Sequence, residues 1–416
     1  MAWLDKIHHP EKYLAWFGRW VLLSILMGLI GGVLGAAFHH ALHFVTHLRM
    51  EHTWLVLLLP IGGLLSMAWY RLLKLKKNRG TNEIIDAVLD GEELKPQIAP
   101  GIFGAAMLTH LFGGSAGREG AALQLGGSVA SLLSRLLKLK RDDRRVLIMA
   151  GMSSVFAGLF GTPLTAALFC MEFESVGTIF SPALLPCYLA AFTASTLSGA
   201  LGVHAEVFPI ATVYSLTAAN AISYALLAVL LSGLGIAMCK VFHTAEHLAA
   251  HHVKNPWVRI FAGGVLIAAM TYLVGDHRFN GAGMDMALGA IEGRGAWYFF
   301  LLKLLFTAVT LAAGFKGGEI VPTFCIGATF GLTVGTLLGL EAEIAGALGL
   351  IGLFCCATNS PLASIVLSVE MFGGGNLHLF ALVCVICFVL SGHSGLYASQ
   401  IIQFHKASTV QSAREP

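Results

Sequence analysis

Charge is scarce in this chain. Only 12% of its 416 residues are Asp, Glu, Lys or Arg, about half the ~25% of an average soluble domain, and that excludes an ordinary water-soluble enzyme. Neither sign dominates: 26 Lys and Arg stand against 23 Asp and Glu, a net charge of +3. The excess is too small and too dispersed for a polyanion-binding surface, so nucleic acid is not expected as a partner. Metal-ligand cysteine spacing is missing as well. Cys170, Cys187, Cys239, Cys325, Cys355, Cys356, Cys384 and Cys387 lie in apolar stretches without paired CxxC units, and read as small core residues rather than a redox or metal centre. The first nineteen residues carry Asp5, Lys6, His8, His9, Glu11, Lys12 and Arg19 with no small-residue cleavage site, which is not the pattern of a cleavable signal peptide.

What is abundant is apolar sequence. Runs long enough to span, or nearly span, a ~30 Å hydrocarbon layer cover Trp20 to Phe44, Trp54 to Leu73, Val146 to Met171, Leu184 to Leu201, Ala218 to Val241, Ile260 to Val274, Trp297 to Ala313, and Phe380 to Leu390 with its flanks. The expectation is an all-α, polytopic membrane protein. Basic residues cluster at the amino terminus, at Arg71, Lys74, Lys76, Lys77 and Arg79, and at Lys138, Lys140, Arg141, Arg144 and Arg145; the positive-inside rule makes those connections cytoplasmic.

Two apolar stretches break at glycines beside charged residues. Ile98 to Phe112 ends at Gly113-Gly114-Ser115-Ala116-Gly117-Arg118-Glu119-Gly120, before a helical pattern from Ala121 to about Leu137. A second stretch ends at Gly314-Phe315-Lys316-Gly317-Gly318-Glu319-Ile320-Val321-Pro322, before a helix from Thr323 to about Leu338. Unpaired backbone in hydrocarbon costs several kcal/mol per group, so such breaks survive only where they are buried or line a wet cavity. A helix that begins there aims its free N–H groups and the positive end of its dipole at the break, where an anion can replace the missing acceptors. Glycines that merely pack helices are the simpler alternative, but they leave Glu119 and Glu319 unexplained. An ionisable residue inside a membrane is costly and is a functional candidate by default.

The two breaks belong to two copies of one unit. Thr162-Pro163-Leu164 leads to Glu172 and Ser360-Pro361-Leu362 leads to Glu370, each Glu nine residues after its Pro, at an offset of 198. His39, His43 and His47 match His243, His247 and His251 at an offset of 204, and Ala121 matches Pro322 at 201. The expected organisation is one transmembrane domain over residues 1–416, built of repeats at about 20–205 and about 215–405, with no appended regulatory domain. Repeated interrupted helices are the signature of a secondary transporter whose site lies near the midplane. Whether the repeats run parallel or inverted is open at this point.

The run Gly117-Arg118-Glu119-Gly120, continued by Ala121 to Gly127, resembles the G-R-E-G-P segment of the CLC chloride channels and proton-coupled anion transporters, and the resemblance extends over essentially the whole chain, to the Pro-Leu-x-Ala helix ending at Met171 and Glu172, the Gly-Gly-x-x-x-Pro break at Gly317 to Pro322, and Tyr397. It implies a CLC-type inverted repeat whose half-helices meet at a midplane anion site, a homodimer with an anion path in each subunit, and no cofactor. Glu119 then takes the place of the gating glutamate: ionised it blocks an anion site, protonated it releases the site and carries a proton. Tyr397 matches the tyrosine whose hydroxyl donates to the central anion, and the N–H groups of Ile320 and Val321, with Gly120, match the anion contacts.

Departures from the chloride pattern bear on the substrate. The first break reads Gly80-Thr81-Asn82-Glu83-Ile84 where chloride-selective members have G-S-G-I-P; the second carries Glu319 where an apolar residue is usual; and Phe173 occupies the internal proton-transfer position. Together these resemble the fluoride-specific branch, which exports fluoride against an inward proton flow and in which the second-break glutamate joins the path. The implied site is Glu119 and Glu319 for gating and proton transfer, with Tyr397, Ile320, Val321, Gly120, Thr81 and Asn82 around the anion. Ala121, Thr81 and Val321 depart from that branch too, where threonine, methionine and a hydroxyl residue are common, and fluoride needs strong donors to replace its water. Chloride/proton exchange or passive chloride conduction therefore stays as the alternative. From other classes come a membrane metalloenzyme built on the histidines at 39, 40, 43, 47 and 52 and at 243, 247, 251 and 252, whose spacing of four shares a helix face, and, more remotely, a protease using Ser153 or Ser154. The location expected is a bacterial inner membrane.

Overall fold

The computed structural model describes residues 10–75, 79–403 and 406. The other N-terminal residues of the first basic cluster, at positions 1–9, and Lys76 and Lys77 of the second lie outside that set. Among the described residues the chain forms sixteen α-helices in two matching series of eight. The first is α1 (Pro10–Glu51), α2 (Leu59–Leu72), α3 (Thr81–Asp90), α4 (Ile98–Leu111), α5 (Glu119–Leu136), α6 (Arg141–Phe160), α7 (Pro163–Glu172) and α8 (Leu184–Ala200). The second is α9 (Ala218–His252), α10 (Pro256–Val274), α11 (Met284–Ile291), α12 (Phe299–Ala313), α13 (Ile320–Leu337), α14 (Ala342–Thr358), α15 (Pro361–Phe372) and α16 (Leu377–Leu390). Six helical stretches are long and apolar enough to cross a membrane, α1, α9, α10 and α13 among them, and α1, α9 and α10 turn Leu22, Leu29, Val229, Leu230, Val265 and Leu266 outward. The protein is an integral membrane protein.

One expected span is two helices. The run Val146 to Met171 stops at Phe160, where Gly161 takes a left-handed conformation (φ +72°), and restarts with Pro163 in the first turn of α7. Glycine ends a helix without steric cost and proline cannot continue one but starts one well. The half-helices also begin earlier than the sequence pattern suggests, at Glu119 rather than Ala121 and at Ile320 rather than Thr323. This shift puts the Glu119 side chain inside the first turn.

Tight crossings hold each repeat together. Gly126 of α5 lies against the Gly151 backbone of α6, and Gly327 of α13 against Gly349 of α14, so the backbones touch where a side chain would hold them apart. The orientation of the repeats is decided where α7 meets α15. Glu172, at the end of α7, accepts from the N–H groups of Leu362 and Ala363 at the start of α15 (3.1 and 2.8 Å), and Glu370 accepts from Leu164 and Thr165 at the start of α7 (2.8 Å each). Each helix is capped by the far end of the other, so the two are antiparallel and the repeat is inverted. A carboxylate beside helix N–H groups is favoured by both hydrogen bonding and the dipole.

A two-stranded parallel sheet, which the all-helical expectation omitted, pairs β1 (Ser175–Val176) with β2 (Ile401–Ile402). Its anchor is Gln400, whose amide nitrogen donates to the carbonyls of Phe173 (2.6 Å) and Thr358 (2.8 Å). These bonds fold the C-terminal segment under the bundle and bring Tyr397 to its middle.

Candidate anion and proton site

The two breaks meet face to face. Gly117 N–H donates to Gly318 O (2.6 Å) and Gly318 N–H to Gly117 O (2.8 Å), an antiparallel bridge between the segments that precede α5 and α13. A methyl group at Gly318 would lie 2.7 Å from a Glu119 carboxylate oxygen and 2.8 Å from Gly120 N, so only glycine admits this approach. The bridge aims the first turns of both half-helices at one point. Gly120, Ile320 and Val321 lie in those turns, where N–H groups have no partner within the helix.

Glu119, the first residue of α5, has no exposed surface. Its Oε2 accepts from the Arg118 N–H at 3.1 Å, its carboxylate faces the Val321 amide, and its Oε1 has no hydrogen-bond partner. The Arg118 guanidinium forms its ion pair with Glu206 rather than with Glu119 and stacks over Phe160, 4.7 Å from the ring centre.

Thr81 is buried with its hydroxyl against Gly120. Tyr397 is buried too, its hydroxyl unpartnered and within electrostatic range of Glu119 and Glu319. Its ring meets Phe173 edge-on at 5.8 Å, so Phe173 packs as a wall for the tyrosine. Asn82 is set differently from its expected role: its Oδ1 accepts from Ser399 N at 3.0 Å and ties α3 to the Tyr397 segment. Glu319 precedes α13 as its N-cap, half-buried, in electrostatic range of Glu119, Glu246 and Lys316.

Two cavities approach this point. One of about 1080 Å³ is lined by Arg49, His110, Arg118, Asn280 and Val321 and holds the C-terminal end of α1; another of about 410 Å³ is lined by Lys240, His243, His393 and Tyr397. With α1 entering from the basic, cytoplasmic side, the first is the outer cavity and the second the inner. At the outer rim burial works against ionisation of Asp276, but its hydrogen bonds with Arg278 prevail and hold the carboxyl below its usual value.

The chain belongs to the CLC family. A family profile described as "Voltage gated chloride channel" matches residues 62–392. A chloride/fluoride channel protein of Pseudomonas syringae pv. tomato is 35% identical over 418 residues, covering 97% of this chain and 91% of that protein. A solved CLC-type fluoride/proton antiporter superposes with a TM-score of 0.89 at 32% identity, covering 92% of this chain and 98% of that one. A slow cyanobacterial chloride/proton antiporter, at 19% identity and a TM-score of 0.77 over 90% and 94% of the two chains, shares the fold. The family's fold thus matches the inverted repeat built above. The histidine runs, by contrast, stay on separate helices, and among the described residues no three His, Cys, Asp or Glu side chains converge on a metal position.

Glu206, Gln400 and the Glu172/Glu370 caps escape a motif reading. Glu206 lies in the linker between repeats with no periodicity to mark it. The Pro-to-Glu spacing of nine did flag Glu172 and Glu370, but as a repeat rather than as a clamp.

Proposed function

We propose that this protein is a proton-coupled halide antiporter that exports fluoride in exchange for protons. The observation that carries the reading is the Glu119 carboxylate, fully buried between the outer and inner cavities, one oxygen unpartnered, at the point where two half-helix N-termini converge. Ionised, it occupies the position that the free N–H groups of Gly120, Ile320 and Val321 make favourable for an anion. Protonated, it loses that attraction, yields to a halide and carries one proton. Thr81 and Tyr397 supply hydroxyl donors on the inner side. Glu319, half-buried, passes protons between Glu119 and the inner solution. Asn82 contributes by holding the Tyr397 segment.

Fluoride is favoured by Glu319 and Phe173, and by the relatives that carry fluoride in their names. Chloride/proton exchange is the second reading, favoured by the apolar Val321 side chain at the floor of the outer cavity, which offers no hydroxyl to a strongly hydrated ion. We further propose two repeats at about 20–205 and 215–405, a homodimer, a bacterial inner membrane location and transport without enzymatic chemistry. The deciding experiment is ion efflux from proteoliposomes, comparing fluoride with chloride while recording pH. Fluoride efflux with proton uptake is expected; chloride flux of equal rate refutes the substrate, and flux without proton movement refutes the coupling.

A further inference from the structure

The outer cavity holds a cation with no acidic partner among the described residues. Its wall carries Arg118, paired with Glu206; Arg278, paired with Asp276; Arg294, paired with Glu292; and Arg49. Arg49, in the last turn of α1 and only 9% exposed, makes, among the described residues, one long hydrogen bond, to His110 O at 3.4 Å, and no ion pair. Its guanidinium lies against the backbone of Gly281, a residue in the left-handed region (φ +72°) where a side chain would collide with it. The nearest acid in electrostatic range, Asp285, is exposed to solvent and forms no ion pair with it.

A second cation lies directly behind. Lys303 of α12 is fully buried, and its ammonium donates to Gly281 O (2.7 Å), Ser115 Oγ (2.9 Å) and Phe279 O (3.2 Å), with no carboxylate among its partners. The loop 279–283 that both cations grip is fastened to the first break, Gly281 N to Gly114 O at 3.0 Å and Asn280 Nδ2 to Gly113 O at 2.8 Å. Charges removed from water persist when paired or when a counter-charge reaches them. Here one buried positive charge lines the cavity and a second lies behind it across the shared loop, and among the described residues no acid within ion-pair distance answers either.

We propose that Arg49, backed by Lys303, forms an outer anion station: a site for a small monovalent anion between the Glu119 position and the external solution. Arg49 offers the planar fork of donors that suits an anion, and Lys303 adds field through the shared loop. The cavity is far larger than a halide, so the station selects charge and not size. Fluoride leaving the Glu119 position rests there, and external chloride competes for the same place. The inference deepens the transport reading and rests on it.

The test uses the full chain in proteoliposomes and in crystals soaked with bromide. Bromide density against the Arg49 guanidinium supports the station; a bromide map without density there overturns it. In flux, external chloride slows fluoride efflux, and Arg49→Gln raises the half-inhibiting chloride concentration about tenfold, a loss of about 1.4 kcal/mol, while Arg49→Lys, which keeps the charge, recovers most of it. Equal inhibition of all three proteins overturns the proposal, and a merely structural Arg49 would lower stability without moving this constant. Should Arg49→Gln fail to fold, the bromide map and Arg49→Lys still decide. Wild-type protein that moves no fluoride or protons refutes the transport reading, whereas coupled wild-type flux with chloride inhibition unaffected by Arg49→Gln refutes the station alone.

Discussion

The two breaks share a backbone and differ in charge. At an offset of 201 the segment Gly113 to Ala121 lies over Gly314 to Pro322; Gly113 and Gly314 both take positive φ (+85° and +101°), and Gly117 and Gly318 bridge each other. Across that match Arg118 stands opposite Glu319, and Glu119 opposite Ile320. In the first break the carboxylate is inside the helix and sealed, while the cation is drawn off to Glu206. In the second the carboxylate is one residue earlier, at the N-cap, only partly buried and in electrostatic range of Lys316. A shift of one residue along the chain thus seals one carboxylate inside a first helical turn and leaves the other at an N-cap, only partly buried. Duplicated geometry supplies two converging helix ends; divergence of a single position supplies two carboxylates in different settings, which the proposed function uses as two proton carriers.

This comparison breaks most completely at Glu119. Replacing it by Gln leaves a permanently neutral side chain that neither blocks the anion position nor carries a proton, and fluoride-driven proton uptake in proteoliposomes should fall about a hundredfold or more, a barrier change near 2.7 kcal/mol. On the proposed reading, Glu319→Gln removes the relay but not the gate. Turnover should drop about tenfold in the same assay, and a loss as large as that of Glu119→Gln would show that the two carboxylates act as one unit.

Gly318→Ala attacks the bridge instead of the charges. The methyl group meets Glu119 and Gly120, and such overpacking costs about 1–3 kcal/mol, to be read as a lowered midpoint of thermal unfolding together with slowed transport. The smallest transport effect belongs to Glu172→Gln. Its carboxylate caps α15, so stability should fall by about 1–2 kcal/mol while the ratio of protons to fluoride keeps its wild-type value; a changed ratio would place Glu172 in the transport path.

Much of this was legible in the residues. Apolar runs marked the spans, Gly-rich breaks next to Glu119 and Glu319 marked the interruptions, and coincident offsets marked the duplication, because membrane burial, helix termination and repetition each leave a periodic or compositional trace. Gly161 and Pro163 were visible too, yet the apolar run Val146 to Met171 concealed the stop they impose, since hydropathy is blind to backbone conformation. Arg49 and Lys303 look in the sequence like ordinary residues at a helix end and in an apolar helix.

The sequence by itself determined the solvent this chain folds in, the number of times its pattern repeats and the places where its helices must stop, since those follow from local chemistry and spacing. Tertiary structure alone decided that the repeats are inverted, that Gly117 and Gly318 touch, that the Arg118 guanidinium answers Glu206 rather than Glu119, and that Tyr397 arrives from the far end of the chain. Each of those is a contact between residues about 90 or more positions apart, and long-range pairing has no signature in composition or period; it is set when buried charges and free N–H groups find one another in a medium that offers them no water.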